Sequence, residues 1–303
     1  MEAQVGLSIG RYQKAVGDIG ALEIAAEIGC DSVDVNLNAF SKEDPNSPYA
    51  LPQDDLVAYF DKMRARAKEL GLVISQTHGR MRGYSFDSEQ DRQLLEDARL
   101  DMIATAALGA PYCVIHSITN IHAGFDRTPE DMRRENIAMY RDVLPYAKEN
   151  GVVVALETFG DATDKNGRNG CDFFGQPDEL LNTYNALRIS PDDAKYFCFC
   201  MDTGHTNKAA RFGNPKPGEL IRRLGSDIRI LHLNDNDGIL DQHKIPYTGT
   251  IDWDDVLRAL QEIGYCGAYN MELHLDAFGK GIDMMKETGA FAVKVLREAL
   301  KKI

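Results

Sequence analysis

A chain of 303 residues with 44% hydrophobic and 27% charged side chains has the make-up of a soluble globular protein with a large core, and no stretch approaches the apolar length that crosses a bilayer. The formal net charge of −13 repels a phosphate backbone, so no nucleic-acid partner is expected. The six cysteines form no Cys-x-x-Cys pair and read as small buried hydrophobes in a reducing compartment; MEAQVGLSIG lacks a basic segment before an apolar run, which points to the cytoplasm.

In chain order, β-rich runs predict strands at 5–9, 32–36, 73–78, 112–116, 152–157, 197–202, 228–233 and 268–273. Helical periodicity fills the segments between them. Leu56, Tyr59, Phe60, Met63 and Ala67 share one face, as do Ile137, Tyr140, Leu144 and Ala147, and later Met285, Ala292, Leu296 and Ala299. One junction recurs: a helical pattern ends, a Gly follows, and a strand begins, as in AKELGLVISQTH and AKENGVVVALE. Gly just past a helix closes its last turn in the left-handed conformation. Regular alternation of strand and helix means parallel pairing through right-handed crossovers. About eight such units predict a single (β/α)8 TIM barrel over residues 1–303, with its active site at the C-terminal ends of the strands. A doubly wound open sheet fits less well, because GxGxxG is missing. Two long loops, 38–53 and 158–177, are rich in Gly, Asp, Asn or Pro and read as lids or as surface ornament.

The strand ends carry the chemistry. LVISQTH ends in His78, YCVIH in His116, VVVALE in Glu157, YFCFCMD in Asp202, and AYNMEL brings in Glu272, while IRILHL places His232 at its end. Residues at the ends of the fifth to eighth strands of a barrel are neighbours in space. One imidazole and three carboxylates, from Glu157, Asp202, His232 and Glu272, suit one divalent ion such as Mn, Mg, Co or Zn. In Asp202-Thr-Gly-His205, Gly204 lets the chain turn and returns His205 over the strand end. Asp241 and His243 lie in the loop after His232, and Asp252 is a helix N-cap candidate for WDDVLRALQEI. His78 and His116 read as substrate contacts or as satisfied rim histidines. Arg80 and Arg82, just after His78, read as anchors for a phosphate or carboxylate or as solvated loop charges. Asp34 and Asn36 are candidates to line the pocket, and Trp253 reads as packing.

The segment HLNDNDGILDQHKIPYTGTIDW, with LETFG, MDTGH and NMEL, resembles the sugar phosphate isomerase/epimerase group of the xylose-isomerase-like barrels. The resemblance follows nearly the whole chain in element order, with its specific motifs in the second half. It implies a metal bound by Glu157, Asp202, His232 and Glu272, with Glu157 and Glu272 doubling as acid and base. His205 would contact a substrate oxygen, with His78, His116, Asp241, His243 and Arg80 as further substrate-binding candidates. The substrate would be a small sugar or sugar phosphate, the reaction a proton transfer through an enediolate, and the assembly a homodimer or homotetramer. Tyr247-Thr-Gly-Thr250 stands where Gly-x-Gly is common, and Asn236, Asp237 and Gly238 stand where several ketose epimerases carry an arginine. Both departures weigh against 3-epimerisation of a free ketose. Two alternatives share the barrel: a polyol-ketone dehydratase resembling inosose dehydratase, and a zinc nuclease resembling endonuclease IV. For the nuclease, His78, His116, Glu157, Asp202, His205, His232, Asp241, His243 and Glu272 would form the larger ligand set. A regulatory barrel with a vestigial site is a fourth reading, disfavoured by the full ligand set.

Overall fold

The computed structural model describes residues 3–279 and 281–302. Among the described residues ten strands form: β1 (Val5–Ser8), β2 (Ser32–Asn36), β3 (Val73–His78), β4 (Tyr112–Val114), β5 (Val153–Glu157), β6 (Asp161–Thr163), β7 (Asn169–Cys171), β8 (Phe197–Asp202), β9 (Ile228–His232) and β10 (Tyr269–Met271). Eight of them are parallel neighbours in the order β10-β1-β2-β3-β4-β5-β8-β9. A parallel bridge between Leu233 and Met271 brings the two ends of that order together, so the sheet curls into a nearly closed barrel. Each predicted strand is present, one to three residues shorter in several cases. The glycines at the five helix-to-strand junctions, Gly29, Gly71, Gly109, Gly151 and Gly264, all have φ between 66° and 85°. Among the described residues no helix is long and apolar enough to cross a membrane.

The helices pack outside the barrel through the faces that the periodicity marks. Helix Gln53–Glu69 buries Leu56, Phe60, Met63 and Ala67, and helix Ile282–Leu300 buries Met285, Ala292, Leu296 and Ala299. The lumen is divided. Val114, Ala155, Cys198, Cys200 and Ile230 make a compact apolar cluster from β4, β5, β8 and β9. The opposite wall is polar and equally dry: Ser32, Asp34, Gln76 and Asn270 are fully buried. Gln76 Nε2 reaches the Leu231 carbonyl at 3.4 Å, a contact between β3 and the segment of β9. Buried polar groups cost free energy unless satisfied, so a polar half-lumen has to be held by its own network or by what binds there.

The two long loops are built rather than loose. Residues 158–177 contain an antiparallel hairpin, β6 with β7, in register Asp161–Cys171 to Thr163–Asn169. Strands of three residues carry too little alternation to be read from sequence. Loop 38–53 is clamped by Arg80, which corrects its expected part in substrate binding. Its guanidinium donates to Asp101 from Nε at 2.8 Å and Nη2 at 2.9 Å, and to the carbonyls of Leu37 and Phe40 at 2.6 and 2.9 Å. Tyr49 adds a 2.6 Å bond to the same Asp101 carboxylate. Arg80 is therefore a buried strut, while Arg82 is half-buried and donates to Gln90. The cysteines also need correction: Cys30, Cys113, Cys198 and Cys200 are buried, but Cys171 is half-buried and Cys266 exposed.

Removing Asp101 strands a buried guanidinium. Asp101→Ala is expected to lower the unfolding free energy by about 3–5 kcal/mol, the range for breaking a buried ion pair. Urea titration checks this as a lower midpoint at unchanged slope; a loss under about 1 kcal/mol would mean that the pair does not hold the loop.

Candidate metal centre

The barrel delivers the predicted polar ends to one place. His78, Glu157, Asp202 and His232 are the last residues of β3, β5, β8 and β9, and Glu272 follows β10 by one position. Ligand atoms of Glu157, Asp202, His232 and Glu272 lie within 4.8 Å of one another. Within this group His232 Nδ1 is 3.0 Å from Glu157 Oε1 and 3.6 Å from Glu272 Oε2. Two further groups of the same compactness adjoin it: His78, His116 and Glu157 on one side, and His205, Asp241 and His243 on the other. His78 Nε2 and His116 Nε2 face each other at 3.3 Å, and His116 Nε2 is 2.8 Å from Glu157 Oε2. The structure thus brings together every predicted site residue except Arg80.

Several of these side chains are held from outside the site. Asp202 caps helix Thr203–Ala210, its Oδ1 accepting from the His205 amide at 2.6 Å, while Oδ2 accepts from Asn234 Nδ2 at 2.9 Å. His205 Nδ1 lies 3.2 Å from the Thr158 carbonyl. Phe159 packs against the rings of both His116 and His205, with centroids 5.6 and 4.8 Å away. His243 adopts φ 42°, in the left-handed region that side chains rarely occupy, and such outliers gather at functional sites. The loop that carries it is folded by Asp235, whose carboxylate accepts from the amides of Gly249 (2.9 Å) and Ile251 (3.2 Å) and from Trp253 Nε1 (2.8 Å). Trp253, read as packing, thus also has a polar anchor.

From sequence nothing is assigned to His274 or Lys208, and Asp34 is only a candidate to line the pocket. Asp34, in the middle of β2, places Oδ2 3.1 Å from His232 Nε2, so the ring is gripped on the side away from Glu157. A carboxylate on the far nitrogen is the usual outer partner of a metal-binding histidine. His274 stacks on His243 with ring centroids 4.7 Å apart. Lys208, buried beside this cluster, belongs to neither of the histidine groups. Its ammonium lies 2.9 Å from Asp161 and 3.5 Å from Asp241.

The electrostatics separate the two glutamates. Burial pushes the Glu157 carboxyl up, but His232, His116 and His205 outweigh it and hold the group well below the usual carboxylate range. Glu272 moves the other way: burial raises it, and repulsion from Glu157 and Asp202 adds to this against the pull of His232 and His243. The donor set also fits a divalent ion on local grounds. Glu157 Oε2 is buried and lacks an aligned hydrogen bond, the condition that a bound cation relieves. Beside these groups a cleft of about 830 Å³ opens at the barrel mouth, lined among others by Arg11, Lys14, Asn36, Asn38, His243 and Glu272. A separate hollow of about 580 Å³ lies against the C-terminal helix and Ile28 and contains none of these groups.

A nearly closed parallel barrel with acidic and imidazole side chains gathered at its C-terminal mouth defines a TIM-barrel protein with a candidate divalent-metal centre. Residues 22–288 match the family model of the xylose isomerase-like TIM barrel, and the chain belongs to that family. A protein of Sinorhizobium fredii, y4fM, is 29% identical over 189 residues, which cover 59% of this chain and 52% of that one; the match thus spans about half of the relative's length. Among solved structures, a D-tagatose 3-epimerase-like protein superposes with TM-score 0.71 at 20% identity, covering 99% of this chain and 97% of its own. The IOLI protein, solved with a bound zinc atom, gives TM-score 0.66 at 16% identity, covering 99% of this chain and 98% of its own.

The turn at Gly204 is required by space rather than by a left-handed backbone, since a Cβ there would lie 1.8 Å from Asn234 Oδ1. Gly204→Ala should cost about 1–3 kcal/mol by overpacking. A thermal melt that matches the parent would show that the Asn234–Asp202 contact can yield.

Proposed function

We propose that this chain is a divalent-metal-dependent isomerase or epimerase of a sugar or sugar phosphate. The observation that carries the reading is the convergence of Glu157, Asp202, His232 and Glu272 beside a polar cleft. Such a reaction removes a proton from a carbon next to a carbonyl and returns one, and it needs two proton-transferring groups near one site. Glu157 and Glu272 take those roles, with His232 between them. Glu272 lines the cleft, whereas Glu157 lies deeper under His116 and Phe159. A divalent ion held by the four side chains would polarise the substrate carbonyl and stabilise the negative charge that develops on its oxygen. His205 hydrogen-bonds a substrate oxygen, and His78, His116 and His243 bound the space around the reacting carbons. Arg11 and Lys14, at the cleft wall, supply positive charge for a phosphorylated substrate. The imidazoles around Glu157 and the Phe159 ring packed on two of them exclude water from its carboxylate, so that proton return is stereochemically controlled.

The three adjoining groups of ligands favour a second reading, a zinc-dependent hydrolase of abasic DNA, in which all nine side chains would bind metal. The formal net charge of −13 weighs against a nucleic-acid substrate. Two or three zinc ions per chain together with cleavage of abasic duplex would replace the isomerase reading.

Two tests follow from the primary reading. Glu157→Gln and Glu272→Gln should each keep the fold and lower solvent-deuterium exchange of a ketose α-proton by at least about 100-fold, read by NMR across a panel of ketoses and ketose phosphates. Exchange that persists in both variants rules out the acid/base assignment. Asp34→Asn should weaken binding of Zn or Mn by about 10–100-fold while leaving the fold intact, measured by competition with a chromophoric chelator. Unchanged affinity would mean that Asp34 does not orient His232 for metal.

A further inference from the structure

Lys208 is the one lysine among the buried residues of the described chain, with 8% of its surface exposed. A buried ammonium is costly unless paired, and this one has two carboxylates. Asp161 lies 2.9 Å from Nζ, and Asp241 Oδ1 lies 3.5 Å from it. Asp161 is itself fixed by Arg211 and by Asn169 Nδ2, at 2.8 Å, so the ammonium has a firm tether on that side. On the other side it borders the group formed by His205, Asp241 and His243.

That group, taken alone, has the donors of a cation site. Its ligand atoms lie within 4.8 Å of one another, and two imidazoles with a carboxylate are a set that zinc-type ions accept. Asp241 is its only anionic member. His205 Nε2 is 3.7 Å from Asp241 Oδ1, His243 Nε2 is 3.4 Å from Oδ2, and the ammonium approaches Oδ1 itself. A divalent ion among these donors would sit about 2 Å from an Asp241 oxygen, and therefore within about 6 Å of a tethered positive charge. Like charges at that distance in a partly buried site repel strongly.

We infer that Lys208 is a positioning residue that keeps a metal ion out of the His205–Asp241–His243 group, by supplying the positive charge Asp241 would otherwise take from a metal. The consequence is a division of labour inside one constellation. Glu157, Asp202, His232 and Glu272 have no ammonium against them and stay available to an ion. His205 and His243, whose Nδ1 atoms face the Thr158 and Glu272 carbonyls, keep their Nε2 atoms for oxygen atoms of the substrate. The inference rests on the proposed function only in taking the four-residue group as the metal centre.

The test is zinc per folded chain, by elemental mass spectrometry after equilibrium dialysis at buffered free zinc, for the parent, Lys208→Met, Lys208→Gln and Lys208→Arg. Removing the charge in Met or Gln should add one zinc per chain, bound at least about tenfold more tightly than any ion the parent takes at this group. Lys208→Arg, which keeps the charge, should match the parent. Combining Lys208→Met with Asp241→Asn should return the count to the parent's. Gln retains a polar partner for Asp161, so it serves if Met unfolds the site; circular dichroism certifies the fold of each. The inference is overturned if neither charge-removing variant gains zinc, or if Asp241→Asn lowers the parent's own count. A parent without zinc, beside a Lys208→Met variant that gains one, would sink the four-residue metal centre and leave the role of Lys208 standing.

Discussion

The arrangement depends on a carboxylate, Glu157, that has been taken almost wholly out of water. It is 2% exposed and sits at the end of β5 with His116, His205 and His232 around it. A lone buried carboxylate would cost several kcal/mol, and the usual escape is to protonate. Here the imidazoles hold it ionised instead. Each comes from a different element, the turn after β4, the helix after β8 and the end of β9, so the charge is tolerable only while these neighbouring strands stay paired. The fold and the site are in this sense one structure, since Glu157 meets these partners only where β4, β5, β8 and β9 run side by side.

The same logic explains the divided lumen. The apolar cluster under β4, β5, β8 and β9 lies directly below Glu157, Asp202 and His232 and excludes water from beneath them. The polar wall on β2, β3 and β10 then reaches toward the site through Asp34, whose carboxylate fixes the far nitrogen of His232. A metal-binding ring needs both parts, a dry floor that strengthens the electrostatics and an outer partner that fixes its orientation. The parallel register achieves this economically: Asp202 pairs with His232, and Glu157 pairs with Cys200 two positions earlier, so neighbouring strands present their polar ends at nearly one level.

How much of this could be read from the chain depended on the range of each interaction. Strands and their polar ends were legible because the signal is local, an apolar run stopping at His, Glu or Asp. The glycine closures were legible for the same reason. From sequence Asp34 reads only as a general pocket candidate, because its partner His232 is 198 residues away and nothing local marks the pairing. Arg80 was misread because an arginine after a strand usually meets solvent, whereas here Asp101, inside helix Ser88–Leu108, turns its carboxylate inward to meet it. Lys208 passed unnoticed because lysine on a helix is ordinarily exposed; only the hairpin β6–β7, itself too short to foresee, puts Asp161 over it.

The loop after β9 shows how stability and function are exchanged within one segment. His243 is held at φ 42°, a conformation that costs about 1–3 kcal/mol in a non-glycine residue. At His243 itself, Nδ1 lies 3.0 Å from the Glu272 carbonyl and the ring stacks on His274. Further compensation comes from Asp235, which is buried, pairs its backbone with Lys244 and takes three donors from residues 249–253 with its carboxylate. Gly249 has to be glycine for this closure, since a Cβ there would lie 2.2 Å from the Asn236 carbonyl. Asp235 therefore fixes both feet of a short arch, and the arch forces Asp241 and His243 over the barrel mouth. The residues of this segment that looked like chemistry and those that looked like turn are two halves of one device: the turn holds the strain, and the strain aims the imidazole.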